Sequence, residues 1–434
     1  MTTDATTGAA HAPGAGRADT IWPALRRISL PLAAGAGLNQ LNRAITAVIG
    51  PELAARFGLS AADLGFLGAV FFAAYGLAQL PVGAALDRFG PRRVQTALMG
   101  VIAAGAVVFA TASGLTALIL GRVLMGVGVA AALMAQLKAT RTWFAPERVP
   151  AVTGWCVALS SLGGIVATVP VEWANAAIGW RGVFLADAAV AAAAGLWIWR
   201  SVPDLPGRER SVGGVAEELR VIGRIVRHPA FIRLVPLVAM LSALNFVWQG
   251  LWAGPWLRDV AGLDAAARAQ VLLVYAVGLT LGSFASGSLQ SALVRRGANP
   301  LALLVVCAAG LLVMHALLIA RVPAAWPWLW FAWPLLASVG PVGYMLVGAR
   351  FAGSETGRVS TTINALMLLM VFVMQQGIGF VLDLFPRNEW GGWDPRGYDT
   401  AIAISAACLA ASLVWLVARR DGRSSGSVPP RPAR

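Results

Sequence analysis

The chain has 434 residues, of which 58% are hydrophobic and only 12% are charged, and its formal net charge is +14. Soluble domains carry about 25% charged residues, so this composition excludes a soluble protein and predicts a polytopic membrane protein. The basic residues lie in short segments between apolar runs rather than on one soluble face, which excludes nucleic acid as the partner. We expect them to set the topology of the chain in the lipid bilayer.

Twelve apolar segments are long enough to cross a bilayer, which takes about 20 residues. An even number places both termini on one side, and the excess of Lys and Arg in the segments on that side predicts that it is cytoplasmic. The expected location is a bacterial-type cytoplasmic (inner) membrane, crossed many times. The predicted spans are roughly residues 28–50, 63–86, 94–112, 115–138, 150–172, 181–200, 231–256, 267–291, 300–320, 326–350, 358–384 and 399–418.

A long polar segment between the sixth and seventh spans divides the chain into two halves of six spans each. Within it, Val215–Ile222 has the pattern of an amphipathic helix on the membrane surface. The predicted domains are a cytoplasmic tail at 1–27, a six-helix bundle at 28–202, a cytoplasmic inter-bundle loop at 203–230, a second six-helix bundle at 231–418 and a cytoplasmic tail at 419–434.

A charged stretch follows the second span and reads Gly-Ala-Ala-Leu-Asp-Arg-Phe-Gly-Pro-Arg-Arg from Gly83 to Arg93. Its position between two apolar runs predicts a tight turn at the membrane surface, because glycines permit such a turn. The stretch resembles the G-x-x-x-D-R-x-G-R-[KR] loop of the major facilitator superfamily, with Pro91 at the position of the first basic residue. The residues that the resemblance assigns to conformational gating are Gly83, Asp87, Arg88, Gly90, Arg92 and Arg93.

Three further segments resemble the same family. Arg122, at the start of Arg-Val-Leu-Met-Gly-Val-Gly, fits the fourth-helix pattern R-x-x-x-G-x-G, and Gly179–Phe184 resembles the usual entry into the sixth helix. Residues 282–297 form a weak echo of the charged loop in the second half, without its acid. Related loops in two six-span halves are typical of a transporter built from repeats.

The resemblance implies an all-α membrane protein with the major facilitator fold, in which two six-helix bundles are related by a pseudo-two-fold axis. It implies a secondary active transporter that works by alternating access and is expected to be a monomer. We expect no cofactor, no metal and no enzymatic activity, because the sequence has no nucleotide-binding loop and its cysteines and histidines lack metal-ligand spacing. The alternative from another class is a non-transporting membrane sensor with the same fold.

Arg43 lies midway along the first predicted span, where an ionisable residue costs at least about 2.5–3.5 kcal/mol. Its position resembles the first-helix arginine that many anion-transporting members of the family use on a carboxylate, although Asn42 stands in place of the usual acid. We expect Arg43 to bind an anionic substrate, and the alternative is a carboxylate partner from another helix. The polar neighbours expected in the substrate site are Asn39, Asn42, Tyr75 and Gln79.

Three charged residues are predicted to couple transport to a proton. The family parallel gives Arg122 a role in proton coupling or in a structural ion pair. Asp187 in the sixth span and Glu172 at the outer end of the fifth are expected at a similar depth, and a buried arginine pairs with such a carboxylate. Because burial favours the neutral form of a carboxyl group, Asp187 is the expected protonatable group.

Polar and aromatic residues recur in the seventh and eleventh spans. In the seventh span their spacing predicts that they share one helical face, which would form a wall of the substrate cavity and an outer gate. The eleventh span adds amide groups. The predicted substrate-binding residues in these spans are Asn245, Trp248, Gln249, Trp252, Asn364 and Gln375.

The fifth span reads Ser-Ser-Leu-Gly-Gly-Ile-Val-Ala-Thr-Val-Pro from Ser160 to Pro170. It lacks the Gly-Pro pair that is typical of proton-antiport exporters of the family, which disfavours drug efflux, whereas Arg43 favours an anion. The expected function is therefore proton-coupled uptake of a small organic anion. Efflux of drugs or siderophore-like metabolites by proton antiport is the alternative within the family.

Overall fold

The computed structural model describes residues 21–204, 215–322, 326–352, 355–388 and 391–419. The first half contains the helices α1 Ile21–Ala24, α2 Leu30–Phe57, α3 Ala61–Ala110, α4 Leu115–Gly128, α5 Ala132–Trp143, α6 Val149–Val166 and α7 Val169–Ser201. The second half contains α8 Val215–Val226, α9 Pro229–Val247, α10 Ala253–Asp259, α11 Ala265–Arg295, α12 Leu301–Ile319, α13 Trp326–Ala337, α14 Gly340–Gly348, α15 Thr356–Asp383 and α16 Pro395–Ala418.

Two π-helical turns, Leu25–Ser29 and Trp248–Trp252, continue these helices. Among the described residues, helical structure is already present at Ile21, before the predicted start of the first span at residue 28. The remainder of the predicted N-terminal tail and the predicted tail beyond residue 419 lie outside the described residues.

Ten helical segments among the described residues are long and apolar enough to cross a membrane, where adjacent helices such as α4 and α5 or α13 and α14 count as one segment. One of them, α3, has 50 residues and bends at Gly90, so it provides a crossing on each side of that bend. Helix α2, with 28 residues, is long enough for another crossing. The all-α membrane architecture is thereby confirmed, and the helices are consistent with twelve spans.

Two bends occur at glycines with nearly the same backbone conformation. Gly90 has φ 79° and ψ 165° within α3, and Gly179 has φ 70° and ψ 165° within α7. Side-chain-bearing residues rarely adopt this region, whereas glycine does so without a steric penalty. The predicted loop from Gly83 to Arg93 is thus helical except at Gly90, because Pro91 occupies the first position of the continuing helix, where its fixed φ is favourable.

The two halves meet closely at the end of the bundle where α3 begins and α15 ends, which we call the sealed end. Arg387 of the second half donates to the carbonyl oxygen of Leu59 at 2.7 Å. Arg258 donates to the carbonyl oxygen of Pro51 at 3.3 Å. These side chains join the second half to the backbone of the first half.

Small residues allow the helix backbones to touch at the sealed end, as is common between membrane helices. A Cβ atom added to Gly254 of α10 would overlap the carbonyl oxygen of Ala47 in α2. A Cβ atom added to Gly65 of α3 would lie 2.7 Å from the carbonyl oxygen of Gln375 in α15. The seal therefore depends on glycine at positions that face the opposite half.

The opposite end of the bundle carries the Gly83–Arg93 stretch, and we call it the motif end. Asp87 pairs with Lys138 of α5 at 2.7 Å. Arg92 pairs with Asp204, just beyond α7, at 3.1 Å. These contacts connect α3 with α5 and with the end of α7, all within the first half.

Candidate functional site

Arg43 lies on α2 at the boundary between the two halves. Its guanidinium carbon is 3.8 Å from the centre of the Phe246 ring, which belongs to α9 of the second half. One terminal nitrogen donates to Gln40 Oε1 at 2.8 Å, and the buried Nε atom has no hydrogen-bond partner. No carboxylate among the described residues forms an ion pair with Arg43. The cation is held by ring stacking and one neutral amide.

Tyr75 connects this cation to a polar residue of the second half. Tyr75 of α3, which is buried, lies within range of an electrostatic interaction with Arg43, and Tyr344 of α14 lies within such range of Tyr75. Gln79 follows Tyr75 by one helical turn and is also buried. Asn39 precedes Arg43 by one turn and has a buried Oδ1 atom without a partner. The region contains more hydrogen-bonding capacity than the protein itself satisfies.

The structure connects Arg122 and Asp187 through Asn42. Arg122 is fully buried and donates to the carbonyl oxygen of Asn42 at 2.9 Å, and the Asn42 side chain donates to Asp187 Oδ1 at 3.3 Å. Arg122 also lies 4.4 Å above the Phe71 ring. The terminal atoms Arg122 Nη2 and Asp187 Oδ2 are buried without partners. Asn42, which we expected beside the substrate, therefore belongs to this network inside the first half.

Glu172 lies away from the Arg122 network. It stands near the start of α7, before the bend at Gly179, and it interacts electrostatically with Arg268 of α11. Its side chain is only half-buried. Of the two carboxylates predicted at the depth of Arg122, the structure brings only Asp187 into the network.

The four residues predicted to share a face of the seventh span have different partners in the structure. A π-helical turn at Trp248–Trp252 replaces the regular α-helical register, because its hydrogen bonds reach one residue further along the chain. Asn245 Oδ1 accepts a hydrogen bond from Tyr275 at 2.7 Å, and Trp248 packs on Trp330 with ring centres 5.4 Å apart. Both side chains therefore have partners from the second half, and Tyr275 also lines the cavity between the halves.

The other two predicted residues of the seventh span face different surroundings. Gln249 lines a small cavity between the halves together with Ala44 and Gly164, and its Oε1 atom is buried without a partner. Trp252 donates to the carbonyl oxygen of Gln375 at 3.1 Å. These two side chains thus belong to the packed contact between the halves.

The two amides predicted on the eleventh span differ in burial. Gln375 of α15 is fully buried with both amide atoms unpartnered, and a Cβ atom added to Gly68 would lie 2.6 Å from its Oε1 atom. It is packed tightly at the boundary of the halves. Asn364, nearer the motif end of α15, is half-buried.

Sequence reasoning missed three residues near the candidate site: Gln40 and Phe246, which contact Arg43, and Tyr344, which interacts with Tyr75. Gln40 was detectable, because it precedes Arg43 by three residues and such residues are neighbours on a helix. Phe246 and Tyr344 come from the second half, and no local pattern indicates which of its side chains lie near Arg43 and Tyr75. The described residues contain no cluster of His, Cys, Asp and Glu that could hold a metal ion.

Replacement of Asp87 by asparagine should slow transport without reducing insertion or stability. The ion pair with Lys138 is partly exposed, with 52% exposure of the Asp87 side chain, so it contributes at most about 1 kcal/mol to stability. Its loss nevertheless removes the ion pair that connects α3 with α5 at the motif end. The measurement is the initial transport rate, normalised to protein abundance in the membrane.

Glu147→Gln is the matched control for this prediction, because it makes the same change of charge at an exposed position between α5 and α6. It should leave the rate unchanged. A normal rate in Asp87→Asn would remove the charged stretch from the transport cycle.

Comparisons with known proteins agree with a transport function. The family model of the Major Facilitator Superfamily matches residues 32–375. The chain is 33% identical to the "Probable L-galactonate transporter" of Escherichia coli (strain K12) over 152 residues, which are 34% of this chain and 33% of that protein. It is 26% identical to the "Probable sulfoacetate transporter" of Cupriavidus necator over 266 residues, which are 57% of this chain and 61% of that protein. The chain thus spans less than two thirds of the length of these curated relatives.

Solved structures of transporters share the fold. A bacterial homologue of the human lysosomal transporter Spinster, in an inward-facing and unoccupied conformation, has a TM-score of 0.68 at 19% identity, covering 91% of this chain and 95% of that chain. A D-xylose–proton symporter has a TM-score of 0.69 at 16% identity, covering 90% and 96%. At this level of identity the likeness shows the fold alone.

Proposed function

This chain belongs to the Major Facilitator Superfamily, and we propose that it carries a small organic anion across the membrane by alternating access, in symport with a proton. It is a transporter rather than an enzyme, as are the family and the matching relatives. The substrate would enter the cell together with the proton.

The surroundings of Arg43 support an anionic substrate. The guanidinium lies at the boundary of the halves, stacked on Phe246, and it has no carboxylate partner among the described residues. An uncompensated charge inside a membrane is costly, and an anionic substrate would supply the missing countercharge when it binds. Since Gln40 accepts from only one terminal nitrogen, the fork retains donors for a carboxylate.

The neighbours of Arg43 favour an organic anion with additional hydrogen-bonding groups. Tyr75 and Gln79 from one half and Tyr344 from the other offer neutral donors and acceptors. Contributions from both halves allow the substrate to contact each half as the halves move. The names of two relatives, which refer to L-galactonate and sulfoacetate, also support an organic anion.

The network of Arg122, Asn42 and Asp187 supports proton coupling. Asn42 and Arg43 are consecutive residues of α2, so a change in the network displaces the backbone that carries the substrate-binding cation. A proton on Asp187 turns an acceptor oxygen into a hydroxyl donor and weakens the hydrogen bond from Asn42. Protonation and anion binding are thereby connected through one helix segment.

The distribution of basic residues supports a cytoplasmic location for the motif end and for both termini in a bacterial-type inner membrane. In that orientation the sealed end faces outward. By analogy with other proteins of this fold, the protein is proposed to act as a monomer.

The test is thermal stabilisation of the purified protein by a panel of small carboxylates, sulfonates and cationic drugs. A ligand at 100 times its Kd stabilises the folded state by about 2.7 kcal/mol, so a specific anion should raise the melting temperature. Arg43→Ala should abolish the effect, and Arg43→Lys should weaken it because an ammonium group lacks the planar fork.

Arg56→Ala is the matched control, since Arg56 is an exposed arginine on the same helix. It should bind the anion normally. Undiminished affinity in both Arg43 variants would give Arg43 a structural role. Stabilisation only by bulky cations or neutral drugs would replace uptake of an anion by efflux as the function.

A further inference from the structure

We propose that Asp383 is a latch that holds the two halves together at the sealed end by capping a helix of the opposite half. Asp383 is the last residue of α15 in the second half, and the helix that it caps is α3 of the first half. The latch acts on opening and closing and is independent of the solute and the coupling ion, so its test does not depend on the proposed substrate.

Both carboxylate oxygens of Asp383 are used across the boundary. Oδ1 accepts from the backbone N–H of Ala61 and Oδ2 from that of Ala62, each at 2.8 Å. The first N–H groups of a helix have no partner within the helix and lie at the positive end of its dipole. The carboxylate therefore satisfies two otherwise unpaired donors and places a negative charge where it is stabilised.

Helix α3 does not need Asp383 for its own start. The Ser60 side chain accepts from the N–H of Asp63, and the Asp63 carboxylate accepts from the N–H of Ser60, both at 3.0 Å. This capping box serves other N–H groups than those of Ala61 and Ala62. The N–H groups of Ala61 and Ala62 remain available to the opposite half. The contact with Asp383 therefore joins the halves and is not needed to start α3.

Asp383 continues a strip of contacts along one face of α15. Gln376 donates to the carbonyl oxygen of Ala62 at 3.3 Å, and a Cβ atom added to Gly379 would lie 2.5 Å from the carbonyl oxygen of Ala61. Residues 376, 379 and 383 follow the spacing of a single helical face. The strip positions the carboxylate in line with the start of α3, and all of its contacts must break when the sealed end opens.

The test measures the distance between spin labels on opposite halves at the sealed end, attached to Ser113→Cys and Ala320→Cys. Both positions are exposed, and Cys408→Ala removes the exposed native thiol. Asp383→Asn should raise the ratio of long to short distances about tenfold, because a neutral amide caps the two N–H groups more weakly than a carboxylate does.

Asp63→Asn is the matched control, since it removes the same charge from the same end of α3 within one half. It should leave the distances unchanged. An unchanged distribution in Asp383→Asn, or an equal shift in both variants, would overturn the latch. Gln376→Leu provides a second variant on the strip, which should shift the ratio in the same direction even where Asp383→Asn does not fold.

Discussion

Gly254→Ala is expected to prevent the sealed end from closing and to abolish most transport while the protein still folds. An added Cβ atom would overlap the carbonyl oxygen of Ala47 in α2. The obstructing atom belongs to the backbone, so a side-chain rotation cannot relieve the overlap. Overpacking of this kind costs about 1–3 kcal/mol, and only the closed arrangement bears that cost. The ratio of open to closed molecules should therefore rise about 5- to 160-fold.

The measurement combines the transport rate with the distance between labels at positions 113 and 320. Gly254→Ala should favour the longer distance and reduce the rate. On α15, Gly379→Ala should act in the same way, whereas Gly377→Ala is its matched control, because no atom lies within 4 Å of the Cβ position of Gly377. Normal transport by Gly254→Ala would show that α2 and α10 need not touch during the cycle.

Asp187→Asn is expected to abolish accumulation driven by a proton gradient while exchange of substrate across the membrane continues. The amide can still accept the hydrogen bond from Asn42, but it cannot take up a proton. The empty and loaded forms of the transporter then no longer differ in protonation at this position. The proton gradient therefore cannot drive the accumulation of substrate. The measurement is uptake into proteoliposomes with an imposed pH gradient, compared with counterflow in its absence.

Glu172→Gln is the control for this prediction, because Glu172 is the other carboxylate that we expected to couple and it lies outside the Arg122 network. It should retain gradient-driven uptake. Accumulation by Asp187→Asn at the normal level would assign the coupling to another group or to another ion. Loss of both accumulation and counterflow would indicate that Asp187 supports the structure of the first half.

The order of the helices and the family could be predicted because the bilayer limits the possible structures. Backbone groups within a membrane must form hydrogen bonds within the protein, so an apolar segment of about 20 residues is a helix. The Gly83–Arg93 stretch then identified the family. The predicted length of the turn was wrong, because the chain is helical on both sides of a single non-helical residue, Gly90. Pro91 permits this by starting the second helical part, and only the backbone angles show it.

Arg43 could be selected from the sequence for the same reason, since a charge midway along a span is costly unless it has a role. Which groups surround it depends on how the helices are rotated and where they cross. Asn42 donates to Asp187, and Phe246 reaches Arg43 from the other half.

The sequence alone therefore determined that the chain is a membrane protein of the Major Facilitator Superfamily with a costly cation in its first span, because length, apolarity and charge act locally. Tertiary structure alone decided the partners of the polar residues. Asn245 and Trp248 found partners in Tyr275 and Trp330 of the second half, and the meeting of α15 with α3 placed Asp383 on two free N–H groups. Those outcomes follow from packing between distant segments, which no local pattern records.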